Sequence, residues 1–265
     1  MTTITRGTVY LVGAGPGDPE LLTRKAAALL AGADLVLHDD LVPAAILALA
    51  PHSMLVNVGK RCGAKKITQA QIHEMMTSSA RHGMSVVRLK SGDPAIFGRL
   101  AEEIDALRAA GVPFEVVPGV TAALAAAASV QASLTDRRTT SRLLLISAHH
   151  AEEKQAAPRQ DWRALISADT SVAVYMPGHD FAPLQQDLLA GGLSPQTPCV
   201  VVSRAGTPDE EQIRTVLGRL VATPPMPSPT ILLIGRTLGR DAQPAEAALQ
   251  AAIGALQPAG GLLRS

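Results

Sequence analysis

Aromatic residues and net charge are both scarce in this 265-residue chain. Phenylalanine, tyrosine and tryptophan together make up 2% of it, so aromatic stacking platforms for single-stranded nucleic acid are not expected. The formal net charge is +1, which is too balanced for a protein whose affinity rests on a polyphosphate backbone. The composition therefore argues against nucleic acid as a partner.

Cysteine and long apolar runs are also rare. The two cysteines, Cys62 and Cys199, lie far apart and offer neither a zinc spacing nor a disulfide framework. The pair His149 and His150 has no matching ligand cluster, so no metal site is expected. No apolar run approaches the roughly 18 residues of a membrane span, and no secretory leader pattern opens the chain. We therefore expect a cytoplasmic protein without a membrane partner.

What the chain does have is a regular alternation of short apolar strands with helical patterns, built mainly from Ala, Val, Leu and Ile. This alternation predicts an α/β fold. A polar stretch at 133–140 indicates a domain boundary. The expected division is an N-terminal α/β domain at 6–136, a C-terminal α/β domain at 137–241 that closes with a hairpin, and a helical or frayed tail at 242–265.

The stretch 88–99 is the centre of this arrangement. It is a predicted strand that enters a turn containing glycine and proline, and a helical pattern follows from residue 99. In open α/β sheets, ligands bind at the carboxyl ends of the strands, so function is expected here. The alternative is a tight turn in which Asp93 caps the next helix.

A second glycine turn, at 13–18, follows the first predicted strand. Pro16 and Pro19 stand where the helix of a dinucleotide-binding fingerprint should begin, which disfavours an NAD site. The turn instead exposes backbone groups beside a rigid apolar proline. A turn with no catalytic use is the alternative.

Polar residues follow three more of the predicted strands. Asp39 and Asp40 are either general-base candidates or caps for the helix that Pro43 begins. The loop 59–66 carries four cations and predicts an anion-binding loop or a solvated charge run. Thr121 opens an alanine-rich helix and could read an adenine or a carboxylate, or only cap that helix. The small side chains of this helix indicate that a flat ligand or another helix packs closely against it.

Several of these segments, taken in order, resemble the tetrapyrrole methylase family. The resemblance runs from about Gly7 to Gly235, and its segments are 12–18, 38–42, 59–61, 88–99, 118–122, 134–137, 175–176 and 203–208. It implies two dissimilar α/β domains of the tetrapyrrole methylase type, with the active site in the cleft between them, and a homodimer. No further domain for precorrin-2 oxidation or iron insertion is seen, so the stand-alone form is expected.

The resemblance implies S-adenosylmethionine as the methyl donor and uroporphyrinogen III as the acceptor, methylated at C2 and C7 to give precorrin-2. The residues it assigns to the donor are Pro16, Ser91, Gly92, Asp93, Ile96, Thr121, Ala122, Met176 and Ala205. Eight carboxylates on the acceptor fit fixed cationic side chains. The candidates for holding them are Lys60, Arg61, Arg99, Arg137 and His149.

Two residue pairs are candidates for proton transfer. In the first, Asp39 accepts the proton and Lys60 donates one; in the second, Arg99 acts with Glu102. Three departures from the family pattern stand near the cleft: Ser91 and the pair at 100–101 replace usual glycines, and Ala95 replaces a usual aromatic residue. The alternatives are a sister methylase acting on a later corrin intermediate or on RNA, a non-catalytic S-adenosylmethionine binder, and, third, a dehydrogenase.

Overall fold

The computed structural model describes residues 4–59, 67–148 and 161–239, and these form two five-stranded sheets. Every neighbouring pair in the first sheet is parallel, in the order β3-β2-β4-β1-β5. Its strands are β1 (Val9–Gly13), β2 (Leu35–His38), β3 (Met54–Asn57), β4 (Val86–Lys90) and β5 (Phe114–Val117). Because the strands are parallel, all five carboxyl ends lie along one edge.

The second sheet has the order β6-β7-β10-β8-β9 and is mixed. Its strands are β6 (Arg142–Ser147), β7 (Thr170–Tyr175), β8 (Pro198–Ser203), β9 (Glu211–Val216) and β10 (Thr230–Ile234). Only the β6–β7 pair is parallel. Strands β8 and β9 form the expected hairpin, while β10 inserts between β7 and β8. The predicted fold class, two dissimilar α/β units, is confirmed.

Seven α-helices connect these strands in the described ranges. They are α1 (Arg24–Gly32), α2 (Ala44–Leu47), α3 (Gln69–Arg81), α4 (Leu100–Ala109), α5 (Ala122–Ser129), α6 (Trp162–Leu165) and α7 (Ala182–Ala190). Short 3₁₀ turns add Pro19–Leu21, Leu217–Ala222 and Arg236–Gly239. No helix within the described ranges has the length and apolar character needed to cross a membrane.

Local capping decides where the helices begin. A capping box begins α3, since the Gln71 backbone amide donates to Thr68 Oγ1 at 3.2 Å and the Thr68 backbone amide donates to Gln71 Oε1 at 2.8 Å. The segment after the first glycine turn forms two elements rather than one helix. Asp18 caps a 3₁₀ turn by accepting the Glu20 amide at 2.9 Å, and Thr23 then starts α1 by accepting the Ala26 amide at 3.1 Å.

The alanine-rich helix α5 packs against the second sheet. Ala123 and Ala126 are fully buried in one apolar cluster with side chains of that sheet, including Val202, Ile231 and Leu233. The small side chains therefore serve close packing of a helix on a sheet. This contact places the carboxyl edge of the first sheet opposite the second sheet. The predicted tail, 242–265, lies outside the described residues, and the domain boundaries at 136 and 241 stay predictions.

Candidate active site

Three loops at the carboxyl edge of the first sheet meet through glycine. The backbones of Gly15 and Gly92 exchange hydrogen bonds of 3.1 and 2.7 Å, so the loops after β1 and β4 are joined directly. A Cβ atom on Gly13 would lie 2.6 Å from the Gly92 carbonyl oxygen and 2.7 Å from the Gly119 backbone. Backbone from the neighbouring loops thus packs directly against the first glycine turn, so a side chain does not fit at Gly13.

Asp93 ties two of these loops together. One carboxylate oxygen accepts the Ala95 amide at 2.8 Å, and the other accepts the Gly119 amide at 3.0 Å. The alternative that Asp93 caps the following helix does not hold, because α4 begins at Leu100 with Arg99 as its N-cap residue. Asp93 therefore positions the backbone of both loops.

A cavity of about 250 Å³ lies between these loops and the second sheet. The nine residues predicted to bind the donor all line it: Pro16, Ser91, Gly92, Asp93, Ile96, Thr121, Ala122, Met176 and Ala205. Asp39 lines it as well. The second sheet presents three chain segments to this cavity, the carboxyl ends of β7 and β8 and the start of β10. The structure therefore brings together residues that are up to 215 positions apart in the sequence, from Pro16 to Ile231.

Tyr175, at the end of β7, reaches across the cleft. Its hydroxyl lies 2.6 Å from Thr121 Oγ1 and accepts the Ala123 amide at 3.3 Å. Thr121 is the N-cap residue of α5, but its side chain makes no capping hydrogen bond. The Tyr175 ring packs on Phe97 with centroids 5.0 Å apart. Sequence reasoning assigned no role to Tyr175 or Phe97, although both lie in segments that carry the family resemblance.

Asp39 lies at the carboxyl end of β2 and forms an ion pair with Arg88. The distance from Arg88 Nη2 to Asp39 Oδ1 is 2.5 Å. Pro43 is the N-cap residue of α2 and no side chain caps that helix, so capping is not the role of Asp39. Its neighbour Asp40 accepts a hydrogen bond of 2.8 Å at Oδ1 from the side-chain amide nitrogen Nδ2 of Asn57.

A buried ionic cluster lies behind Asp39. Glu103 Oε1 accepts Arg88 Nε at 3.0 Å, and Lys90 Nζ donates to both Glu103 oxygens at 2.7 and 2.8 Å. Burial, together with the nearby Arg88 charge, lowers the pKa of Lys90 from its usual range, against the opposing effect of Glu103. Sequence reasoning missed this cluster. The available signal was two charged residues, Arg88 and Lys90, in a strand flanked by apolar neighbours.

Two larger cavities open beside the first. One, of about 540 Å³, is lined by Asp39, Lys90 and Arg99 among others; the other, of about 820 Å³, is lined by Pro16 and Arg204 among others. Ser91 lines all three cavities, so the three spaces meet at the carboxyl end of β4.

The other residues predicted for the site, those for the acceptor and for proton transfer, do not all line these cavities. Arg99 and Glu102 form a two-pronged ion pair at 2.7 and 2.6 Å on the rim of the 540 Å³ cavity. Arg137 is exposed in the turn at 136–140 and lines none of the three cavities. Lys60, Arg61 and His149 lie outside the described residues. At the departure from the usual glycine pair, Leu100 is the first residue of α4 and packs against the core, and the N-cap residue Arg99 before it is in the left-handed region with φ 56°.

Comparison with known proteins gives a consistent picture. A family model described as "Tetrapyrrole (Corrin/Porphyrin) Methylases" matches residues 8–221. A uroporphyrinogen-III C-methyltransferase of Pseudomonas aeruginosa is 43% identical over 232 residues, which cover 86% of this chain and 93% of that protein.

Solved structures agree with the sequence comparison. Uroporphyrin-III C-methyltransferase from Thermus thermophilus, complexed with S-adenosyl homocysteine, has a TM-score of 0.74 and 38% identity, covering 87% of this chain and 98% of that one. A cobalt precorrin-4 methyltransferase has a TM-score of 0.75 and 30% identity, covering 88% of this chain and 96% of that one.

Proposed function

Because this chain belongs to the tetrapyrrole methylase family, we propose that it transfers methyl groups from S-adenosylmethionine to uroporphyrinogen III at C2 and C7, giving precorrin-2. The observation that carries the proposal is the single cavity lined by all nine residues expected to bind the donor. Identity of 43% to a methyltransferase named for this acceptor, against 30% to one named for a later corrin intermediate, favours this reaction over its sister reaction.

The cavity fits the donor chemically. Pro16, Ile96 and Ala205 supply an apolar wall that suits an adenine ring and keeps water away, while Tyr175 and Thr121 bring hydroxyl groups to the same space. Bound S-adenosylmethionine supplies an electrophilic methyl group. The protein contributes alignment, because the pyrrole carbon that receives the methyl group is already electron-rich.

The two larger cavities offer space for a bulky acceptor next to the donor. Both adjoin the donor cavity at Ser91, so an acceptor there reaches the methyl group without displacing the donor. Arg99 on one cavity and Arg204 on the other are guanidinium groups suited to carboxylates. Lys60, Arg61, Arg137 and His149 remain proposed carboxylate partners on the strength of the family resemblance.

Methyl transfer leaves the macrocycle positively charged, and the methylated carbon carries no hydrogen, so a proton must then be lost from another position of the macrocycle. Asp39 lines both the donor cavity and the 540 Å³ cavity, and its ion pair with Arg88 fixes the position of its carboxylate. We assign proton acceptance to Asp39 and proton donation to Lys60. The Arg99–Glu102 pair on the rim is the rival arrangement.

The test is an anaerobic assay of the purified protein with uroporphyrinogen III and S-adenosylmethionine, followed by absorbance and product mass. We expect a product that carries two added methyl groups. Asp39→Asn should lower kcat by about 10²–10⁴-fold, the usual contribution of a general base. Asp105→Asn, an exposed aspartate on α4, is the matched control and should match wild type within about twofold.

Other outcomes would redirect the assignment. Methylation of RNA or of a later corrin intermediate, without turnover of uroporphyrinogen III, would favour the sister methylase. Tight donor binding without any methyl transfer would favour a non-catalytic binder. We also propose a cytoplasmic homodimer, as the family resemblance implies; a monomer mass by light scattering would contradict the dimer.

A further inference from the structure

Glu103 is fully buried and binds two buried cations beneath the candidate active site. We infer that Glu103 is a positioning residue for methyl transfer, which fixes Arg88 and, through Arg88, the Asp39 carboxylate. This inference rests on the proposed function and adds to it a residue that does not touch the substrate.

The contacts of Arg88 show how the positioning works. Its Nε donates to Glu103 at 3.0 Å, and its Nη1 donates to the carbonyl oxygens of Leu37 and Leu89 at 3.3 and 3.1 Å. These three bonds hold two of the three nitrogens of a planar guanidinium, so the direction of the third, Nη2, is set by the protein. Nη2 is the group that bonds Asp39.

Charge balance supports the same conclusion. The cluster contains two cations, Arg88 and Lys90, and two anions, Glu103 and Asp39. The side chains of Arg88, Lys90 and Glu103 are at most 4% exposed. The side chain of Asp39 is 31% exposed and lines the cavities. Asp39 is therefore the most exposed member of the cluster.

The location of the cluster points away from a purely stabilising role. Among the described residues, Arg88, Lys90 and Glu103 are the only buried side chains of Asp, Glu, Lys or Arg. Buried ion pairs commonly add little stability compared with apolar residues of similar size, because removing charges from water is costly. Lys90 and Asp39 each line both the donor cavity and the 540 Å³ cavity. The cluster therefore places buried charges, which are costly to remove from water, where the two cavities meet. This location suits a cluster that orients a reacting side chain.

The experiment is a double-mutant cycle on kcat with Glu103→Gln, Asp39→Asn and the two combined. We expect Glu103→Gln to lower kcat about 10²-fold, the effect of misplacing a catalytic group by about 1 Å, with KM for the donor within about twofold. Because Glu103 acts through Asp39, the combined variant should be no slower than Asp39→Asn alone. Glu115→Gln, at a partly exposed ion pair with Lys25, is the matched control and should match wild type.

Two results would overturn the inference: multiplicative effects in the combined variant, or a wild-type kcat in Glu103→Gln. If Glu103→Gln does not fold, Glu103→Asp enters the same cycle, since it keeps the buried negative charge but is too short to hold both cations. Wild-type turnover in the same assay tests the proposed function separately. Failure of the reaction and failure of the positioning role are therefore distinguishable.

Discussion

The two halves of the molecule place polar groups in different ways. In the first sheet, buried Arg88, Lys90 and Glu103 surround the carboxyl end of the central strand β4. In the described part of the second half, the buried polar side chains are hydroxyl groups, such as those of Ser171 and Ser203. The first half thus contributes the buried ionic groups beside the 250 Å³ cavity, and the second half contributes a neutral wall of that cavity and one bridging tyrosine.

Strand direction explains part of this difference. A parallel sheet brings every carboxyl end to one edge, so the loops after β1, β2, β4 and β5 can all contribute to one site. In the second sheet β10 runs opposite to β7 and β8, so its start, rather than its carboxyl end, lies at the cleft beside their carboxyl ends. Most of the residues that line the 250 Å³ cavity come from the parallel half.

The largest expected effect that tests this division is on donor binding. Asp93→Ala removes the acceptor of two backbone amides and should release the loops after β4 and β5. Hydrogen bonds to a charged group contribute about 1.5–3 kcal/mol, so the Kd for S-adenosylmethionine should rise about 10- to 150-fold. Calorimetry measures this change, with Asp105→Ala on α4 as control. An unchanged Kd would show that the first half does not set donor affinity through these loops.

A smaller effect is expected from the side chain that joins the halves. Tyr175→Phe keeps the ring contact with Phe97 but removes the hydroxyl that bonds Thr121 and Ala123. One such hydrogen bond contributes about 1 kcal/mol, so we expect about fivefold weaker donor binding. Tyr10→Phe is the matched control, because the Tyr10 hydroxyl accepts the Thr5 amide away from the cleft. Equal losses of donor affinity in both variants would mean that Tyr175 does not link the halves at the site.

The smallest effect concerns the opposite, amino-terminal edge of the first sheet. The Ser85 backbone amide, and then its hydroxyl, lower the pKa of Asp34 by bonding its carboxylate at 2.8 and 2.7 Å. Because the folded-state pKa is lowered, this stabilisation is present at neutral pH and is lost as the pH falls through that pKa. Asp34→Asn should lower the free energy of unfolding by about 1 kcal/mol at pH 7, with kcat unchanged.

The wild-type advantage over Asp34→Asn should shrink below about pH 4, measured by urea unfolding at several pH values. In the second half Asp169 accepts hydrogen bonds from Ser141 and Ser167, which lower its pKa. Asp169→Asn should follow the same pH direction by a smaller amount, because that carboxylate is more exposed. A pH-independent difference would mean that these carboxylates are not the source of the stability.

Much of the fold and the residues that line the 250 Å³ cavity could be predicted from the sequence, because strands and turns are local patterns. The alternation of strands and helices predicted the α/β fold and the hairpin of the second half, and the ordered motifs selected nine residues of the cavity. Pairings between distant residues could not be predicted. Glu103 meets Arg88 and Lys90 only because α4 folds back over β4, and Tyr175 meets Thr121 across 54 positions. The insertion of β10 between β7 and β8 is likewise a property of the assembled sheet.

The interlocked glycines of the three first-sheet loops have a practical consequence for redesign. A side chain at Gly13 would collide with the backbone of both neighbouring loops. Libraries that randomise these glycines would therefore yield mostly unfolded protein. Leu41 and Phe97 border both the donor cavity and the 540 Å³ cavity yet are 53% and 44% exposed. Substitution at these two positions is the more direct route to variants that accept other macrocycles.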